Sequence, residues 1–237
     1  MMDSHTPARN TDPRSEGSRR EELAAYFLSV PPYREQTPAQ KADYHRHLRQ
    51  LGTLEDEEVL RSAGANRPLV CGNPLPLLQN LLSAAQRLAA GVGQPLFFFP
   101  AREIHIDFTA MLHPRLLMLA TVDLLRAACT AAPRSPVWVR ICEQSSCLTV
   151  SVTAAEPFAE SAALRVVKEC AGLHGGSLAQ CDRVIGFSVA RATGALPETA
   201  PYHCPTAAEL CRDTLSPVWT GFYAWLEPSP EADSSDG

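Results

Sequence analysis

The sequence predicts an α+β fold, a two-layer α/β sandwich whose mixed sheet carries helices on one face, preceded by short N-terminal helices. Three observations predict it. Two segments alternate with strict period two, Val137, Val139, Ile141 and then Leu148, Val150, Val152, as half-buried strands do. Residues 114–130 are apolar over most of a helical circumference, and residues 161–173 carry an apolar stripe at helical spacing. The signals follow one another as helix, strand, strand, helix, hairpin, helix, strand, strand, an order that places helices over one sheet.

Each element has a local reason. Residues 1–20 are polar and hold Pro, Ser and Gly, so a disordered leader is expected. Residues 21–30 read as a short helix with Leu23, Ala24, Phe27 and Leu28 on one face, stopped by Pro31-Pro32. Thr37 is placed as an N-cap with Pro38 in the first turn of a helix to about Leu51. Gly52-Thr53 predicts an interruption, and residues 54–63 a further acidic helical stretch ending at Gly64. Residues 21–66 therefore form one helical segment, and residues 66–76, with Pro68, Gly72, Pro74 and Pro76, a linking loop.

Regular structure becomes dense after that, and residues 75–194 are expected to be the main domain. Residues 77–90 read as an amphipathic helix closed by Gly91. Residues 95–99 predict a buried strand, and residues 103–108 an alternating one with Ile104, Ile106 and Phe108 opposite His105. The two period-two segments form a hairpin through 143–147. The 161–173 helix follows, then a His174-Gly175-Gly176 turn and strands near 177–180 and 184–190. Residues 195–228 form a proline-rich C-terminal extension holding a short helix (206–214) and an aromatic segment with Trp219, Phe222, Tyr223 and Trp225. The aromatics are expected to pack back onto the domain. Residues 229–237 complete the chain as a disordered tail.

Composition excludes several classes. The 237 residues are 45% hydrophobic with a net charge of −5, so no basic excess points to nucleic acid or an anionic membrane. No apolar run reaches the roughly 18–20 residues of a membrane span; the longest, 116–125, carries Asp123. The N-terminus lacks an apolar signal core, and a cytoplasmic protein is expected. The eight cysteines show no two-residue gap, and His203-Cys204 with Cys211 matches no standard spacing, so no metal site is expected. Cys129 and Cys170 lie on apolar helical faces. Arg140, Glu143, Asp182 and Arg183 are placed in surface ion pairs.

Two motifs carry a resemblance. SAALRVVKECAGLHGG at 161–176 resembles the helix after the nucleotide lid of histidine-kinase-type ATPase domains, where the pattern reads roughly GLGLSIVKEIVKLHGG. HPRLLMLATVDLLRAA at 113–128 resembles that family's N-box helix, roughly DPRLLERALLNLLSNA. Pro114, Arg115, Leu116, Leu117, Ala120, Leu124, Leu125 and Ala128 agree with it. With the hairpin between them, the likeness covers about residues 75–192 and implies a Bergerat-like fold of the histidine-kinase and Hsp90-like (GHKL) superfamily. AQKADYHRHLRQLGTL at 39–54 resembles a dimerisation-helix stretch of bacterial sensor kinases, which makes 37–63 a truncated remnant of their helical hairpin.

The resemblance implies ATP and Mg²⁺, yet the residues that would hold them differ. Ala127 stands where the family has the asparagine that ligates Mg²⁺, and a methyl group cannot ligate a hard cation. One turn earlier Asp123 replaces another asparagine, as a carboxylate that activates water or one that lines an emptied groove. The hairpin's second strand runs Val152-Thr153-Ala154-Ala155-Glu156-Pro157, without the aspartate that reads adenine or the glycines after it; Thr153 offers one hydrogen bond. About eight residues separate Val152 from Ser161, too few for a lid, and Ser161 and Ala163 replace phosphate-facing glycines. Asp123, Ala127, Thr153, Ser161 and Ala163 are thus expected to mark a vestigial groove with no catalytic residue, and His174, Gly175 and Gly176 a structural turn with one glycine at positive φ. His45 and His47 lack the acidic neighbour and downstream proline of a phosphoacceptor and read as surface histidines on a polar helix.

The preferred reading is a catalytically degenerate sensor-kinase relative, not an enzyme and needing no cofactor. It would signal through protein contacts with a kinase, a response regulator or itself. The alternatives are a divergent, ATP- and Mg²⁺-dependent histidine kinase, and a ligand sensor using the emptied groove. Filling of that groove by Met118, Phe158 or the C-terminal aromatics would exclude the sensor.

Overall fold

The period-two segments become the centre of a sheet. The computed structural model describes residues 13–62, 69–99, 108–158, 164–194 and 202–226. In chain order these form α1 (Pro13–Ser29), a 3₁₀ turn (Tyr33–Glu35), α2 (Pro38–Ser62), β1 (Val70–Gly72), α3 (Leu75–Ala90), β2 (Leu96–Phe99) and β3 (Ala110–Leu112). There follow α4 (Pro114–Ala131), β4 (Val137–Glu143), β5 (Cys147–Thr153), α5 (Leu164–Leu173), β6 (Leu178–Cys181), β7 (Val184–Ala190) and α6 (Ala207–Arg212). A π-helical turn (Val218–Phe222) and a 3₁₀ turn (Tyr223–Trp225) close the described chain.

Five strands run in the order β2-β4-β5-β7-β6. β2 is parallel to β4 and every other pair is antiparallel, in a register that sets Val139 beside Val152 and Val150 beside Phe187. Because side chains alternate, one face of β4, β5 and β7 collects Val137, Val139, Ile141, Leu148, Val150, Val152, Ile185, Phe187 and Val189, all buried. The apolar stripes of α3, α4 and α5 join them in one core cluster. The fold is therefore the expected α+β arrangement, a mixed sheet with helices on one face after N-terminal helices.

Four local expectations change. Helix α1 starts at Pro13, inside the stretch read as a disordered leader. Helix α2 runs 25 residues without interruption, capped by a reciprocal pair in which Thr37 Oγ1 accepts from the Gln40 amide (3.3 Å) and Gln40 Oε1 from the Thr37 amide (2.9 Å). Gly52 does not break it; a Cβ there would lie 2.6 Å from the Thr220 carbonyl oxygen, so glycine lets the C-terminal segment approach the helix. Strand β2 is not buried on both sides: Leu96 is, while Phe97 is 43% and Phe99 56% exposed. The link at 66–76 contains β1, whose Val70, Cys71 and Gly72 pair with Leu112, Met111 and Ala110 of β3, a ladder too short for periodicity to reveal. The alternating strand expected at 103–108 lies outside the described residues except for Phe108, which is buried, and His105 lies outside them too.

The C-terminal extension packs onto the domain as expected. Thr206 and Glu209 form a capping box on α6. Val218, Trp219, Phe222 and Tyr223 are buried in the same cluster as Tyr44, Leu48 and Val59 of α2. Gly221 lies so close to α4 that a Cβ would meet Val122 Cγ2 at 2.7 Å. The apolar face of α2 is thus used within the chain, against the C-terminal turns and α5. Among the described residues no helix is long and apolar enough to cross a membrane.

Candidate functional site

Helix α4 starts at His113, whose Nδ1 accepts the Leu116 amide (3.2 Å) as an N-cap. Its apolar circumference buries it between the sheet, α5 and the C-terminal turns, and Asp123 is carried into that interior with no solvent exposure. Beside its carboxylate stands Arg126, whose Nη2 lies 2.5 Å from Oδ1. That contact is an ion pair without hydrogen-bond geometry, and neither Asp123 oxygen has a hydrogen-bond donor among the described residues. Arg126 also reaches Asp56 Oδ2 of α2 at 3.5 Å and lies 4.9 Å over the Trp225 ring.

A second set of contacts closes the same face. Arg49 Nε of α2 donates to the Ala224 carbonyl (2.6 Å), Thr220 Oγ1 donates to Glu55 Oε2 (3.1 Å), and Arg115 of α4 pairs with Glu55 at 2.9 Å. Burial pushes the Asp123 carboxyl well above the usual carboxylate range, against the pull of Arg126 and with a further push from Asp56. Burial likewise raises Asp56, opposed by Arg126, and Glu55, opposed by Arg115.

The sequence-predicted site residues do not converge. Ala127 is half-buried one turn beyond Asp123. Thr153 ends β5 opposite Trp138 and Val184, and the alternation turns it to the outer face of the sheet, away from α4. The next residue, Ala154, is the one that turns inward and is buried. Sequence reasoning passed over Ala154, although continuing the Leu148, Val150, Val152 period by one step finds it. Ser161 and Ala163 lie outside the described residues.

The His-Gly-Gly turn is fully described. The Gly176 amide donates to Ala171 O (2.8 Å) and the Gly175 amide to Gly172 O (3.1 Å), the paired bonds of a Schellman helix end. Gly175 has φ of 65°. At Gly176 a Cβ would run into the Ser188 carbonyl of β7. His174 is buried; its Nδ1 meets Cys170 O at 2.7 Å and its Nε2 accepts the His113 amide at 3.0 Å. These two partners fix a neutral ring with the proton on Nδ1, and burial lowers its pKa. One imidazole thus joins the end of α5 to the start of α4.

The helical histidines are not on the surface as expected. His45 is buried; its Nε2 bonds Tyr33 Oη (2.7 Å), its ring stacks on Tyr33, and burial lowers its pKa to about 4. His47 is partly buried, with Nδ1 on Asp43 O (2.8 Å) and its ring stacked on Tyr26 at 3.7 Å. Of the expected surface pairs, Asp182 meets Arg183 at 3.9 Å, while Glu143 pairs with Arg191. Among the described residues no three of His, Cys, Asp and Glu gather around a metal-sized point. Burial raises the Cys129 thiol to about 12.

Three cavities bounded by described residues lie elsewhere. One of about 430 Å³ lies between α1 and α2 beside Leu23, His47 and Leu54, one of about 190 Å³ beside Cys129 and Trp225, and one of about 410 Å³ on the outer sheet face beside Thr149, Ser151 and Ser188.

No family model matches the chain, and no curated protein does. Solved structures of histidine kinases do. Full-length ShkA in complex with AMPPNP is 14% identical, covering 79% of this chain and 48% of that one with a TM-score of 0.50. Histidine kinase AdeS of Acinetobacter baumannii is 11% identical over 76% of this chain and 95% of its own (TM-score 0.47), and the cytoplasmic segment of histidine kinase QseC 18% over 60% and 93% (TM-score 0.43). The chain is similar in fold to histidine-kinase catalytic domains.

Proposed function

We propose that this chain is a histidine-kinase-like protein that has lost phosphoryl transfer and acts in cytoplasmic signal transduction through protein contacts. The observation that carries this reading is the closure of the Asp123 face of α4 by α2 and the C-terminal turns. A nucleotide using Asp123 would have to displace Arg126, Asp56 and Trp225. Ala127 supports it further, since a methyl group occupies the position where the resembled family ligates Mg²⁺, and the segment 152–157 holds no aspartate to read adenine. These residues do not fit ATP and Mg²⁺, and the reading needs neither.

On this reading residues 75–194 form the kinase-like domain, and 21–66 descend from dimerisation helices now folded onto it. The engaged Nε2 of His45 speaks against a phosphoacceptor there. The partner is a kinase, a response regulator or a second copy. The C-terminal aromatics lie in the core with α4, which counts against a sensor using an open groove at Asp123.

Thermal unfolding with ATP and Mg²⁺ tests the proposal beside an active histidine kinase. A nucleotide-binding domain gains about 2.7 kcal/mol at a hundredfold excess over Kd. No shift in this chain at millimolar nucleotide is expected; a dose-dependent rise in Tm overturns the reading.

A further inference from the structure

We propose that Arg126 is a proton-governed clasp on the C-terminal turns. While Asp123 holds a proton, the guanidinium ties α4 to Asp56 of α2 and backs the Trp225 ring. When Asp123 gives that proton to solvent, its carboxylate draws the guanidinium back to its own helix, and both contacts loosen. This device goes beyond the proposed function and does not depend on it.

The first observation is one nitrogen between two carboxyls. Arg126 Nη2 donates a hydrogen bond to Asp56 Oδ2 on α2 at 3.5 Å. The same nitrogen lies 2.5 Å from Asp123 Oδ1, three residues back on α4, without donating a hydrogen bond there. Among the described residues neither oxygen of the buried Asp123 has a donor. A buried carboxylate without a donor is costly, and taking up a proton removes that cost. The bond to Asp56 joins two helices, whereas Asp123 competes for the same nitrogen from within α4.

The second observation joins this competition to the C-terminal turns. The Arg126 guanidinium carbon lies 4.9 Å from the centre of the Trp225 ring, within cation–π range. Arg49 of α2 lies 5.7 Å from the same ring and donates from Nε to the Ala224 carbonyl. Arginine keeps its charge, so what changes is where Arg126 sits. Trp225 is half-buried, and its Nε1 has no hydrogen-bond partner among the described residues. Ring contacts therefore hold this side chain. A guanidinium drawn toward Asp123 takes one of two cations from the ring, beside the turns packed with Tyr44, Leu48 and Val59 of α2.

The third observation is the isolation of this set. The charges that act on Asp123 are those of Arg126 and Asp56. Helix α5 buries Val166, Val167, Cys170 and Ala171, with burial raising the Cys170 thiol. The buried faces of α3 and β5 are apolar, and the π-helical turn brings Trp219 and Thr220 but no charge. On α2, Glu55 is held by Arg115 and the Thr220 hydroxyl. Burial raises the Asp123 carboxyl above the usual range, so the folded chain keeps a proton that the unfolded chain gives up. The clasp is closed at the lower pH and opens as pH rises through the folded value of Asp123.

The test labels the full chain with fluorotryptophan and follows the fluorine resonances from about pH 5 to about pH 9. That range leaves out His45, at about 4, and Tyr223, raised by burial from 10.0. The resonance lost in Trp225→Phe identifies the probe. As pH rises, the Trp225 resonance is expected to shift through one step while that of the 40% exposed Trp138 stays level. Asp123→Asn is expected to abolish the step and leave Trp225 at its low-pH position. Asp56→Asn is expected to move the midpoint to lower pH, because it removes both a repelling charge and the competitor for Arg126. If Asp123→Asn does not fold, the midpoint in Asp56→Asn decides. A flat Trp225 resonance overturns the proposal, as does a step that survives in Asp123→Asn or keeps its midpoint in Asp56→Asn. So does a step that Trp138 shares, which marks a change of the whole fold. Nucleotide plays no part in these titrations, so their failure is distinguishable from a failed ATP test.

Discussion

The carbonyl oxygen of Thr220 lies 2.6 Å from the point a Cβ on Gly52 would occupy, so the middle of α2 is shaped by a segment more than 160 residues away in sequence. An alanine in an exposed helix position normally gains up to about 1 kcal/mol over glycine. Gly17 of α1 has no atom within 4 Å of its would-be Cβ. Gly17→Ala is therefore expected to raise the urea midpoint slightly, and Gly52→Ala to lower stability by about 1–3 kcal/mol through overpacking. Equal effects at the two glycines would show that the C-terminal turn does not hold this position.

The two glycines after His174 are expected to differ in cost. Gly175→Ala places a Cβ on a residue with φ of 65°, at about 1–2 kcal/mol. Gly176→Ala demands that the β7 backbone at Ser188 move, and should cost more, up to loss of folding. Chemical denaturation of the pair checks the order.

His174→Ala removes the acceptor of the His113 amide. It is expected to destabilise by about 1–3 kcal/mol and to speed hydrogen exchange of that amide at the start of α4. Unchanged protection at His113 would mean that another acceptor serves it.

The buried charges give an asymmetric prediction. Arg126 lies between Asp123 and Asp56, so Arg126→Met strands one buried and one half-buried carboxylate and is expected to cost about 3 kcal/mol. Asp123→Asn leaves Arg126 its Asp56 partner and removes a carboxylate whose charged form burial disfavours. It should cost far less, or stabilise. Urea unfolding of both variants at pH 7 reads the difference.

Acid sensitivity follows from His45. Its folded pKa is lowered from 6.5 to about 4, so the folded state binds fewer protons than the unfolded one. The stability from the neutral ring is complete above pH 6.5 and is lost as pH falls from there to about 4, by up to about 3 kcal/mol. His45→Gln should flatten stability across that window. Asp123, Asp56 and Glu55, whose pKa values are raised, act in the opposite direction: they favour folding at low pH and lose that contribution as pH rises through their folded values.

The sheet was legible because period two in β4 and β5 and a helical stripe in α5 are local patterns that tertiary packing reinforces. The turn at His174 was legible too, since a helix end of this kind needs glycine. Long-range packing was not. Gly52 reads as a breaker until Thr220 is seen beside it, and His45 reads as a surface group until Tyr33 and Tyr223 enclose it. Asp123 looked poised to line a groove, because nothing local foretells that Arg126, Asp56 and Trp225 gather around it. Thr153 read as a hydrogen-bonding group in that groove, whereas the pleat turns it outward beside Trp138 and Val184 and Ala154 inward.

The contacts between α2 and the last described turns also bear on synthesis. Tyr44 bonds Thr214 across 170 positions and Arg49 bonds Ala224 across 175. At about 5–20 residues per second, the nascent helix waits roughly ten seconds or longer on the ribosome before its covering segment exists. In that interval the side of α2 that Val218, Trp219 and Phe222 cover has no partner yet, and a nonsense codon between α2 and Val218 would remove that cover for good.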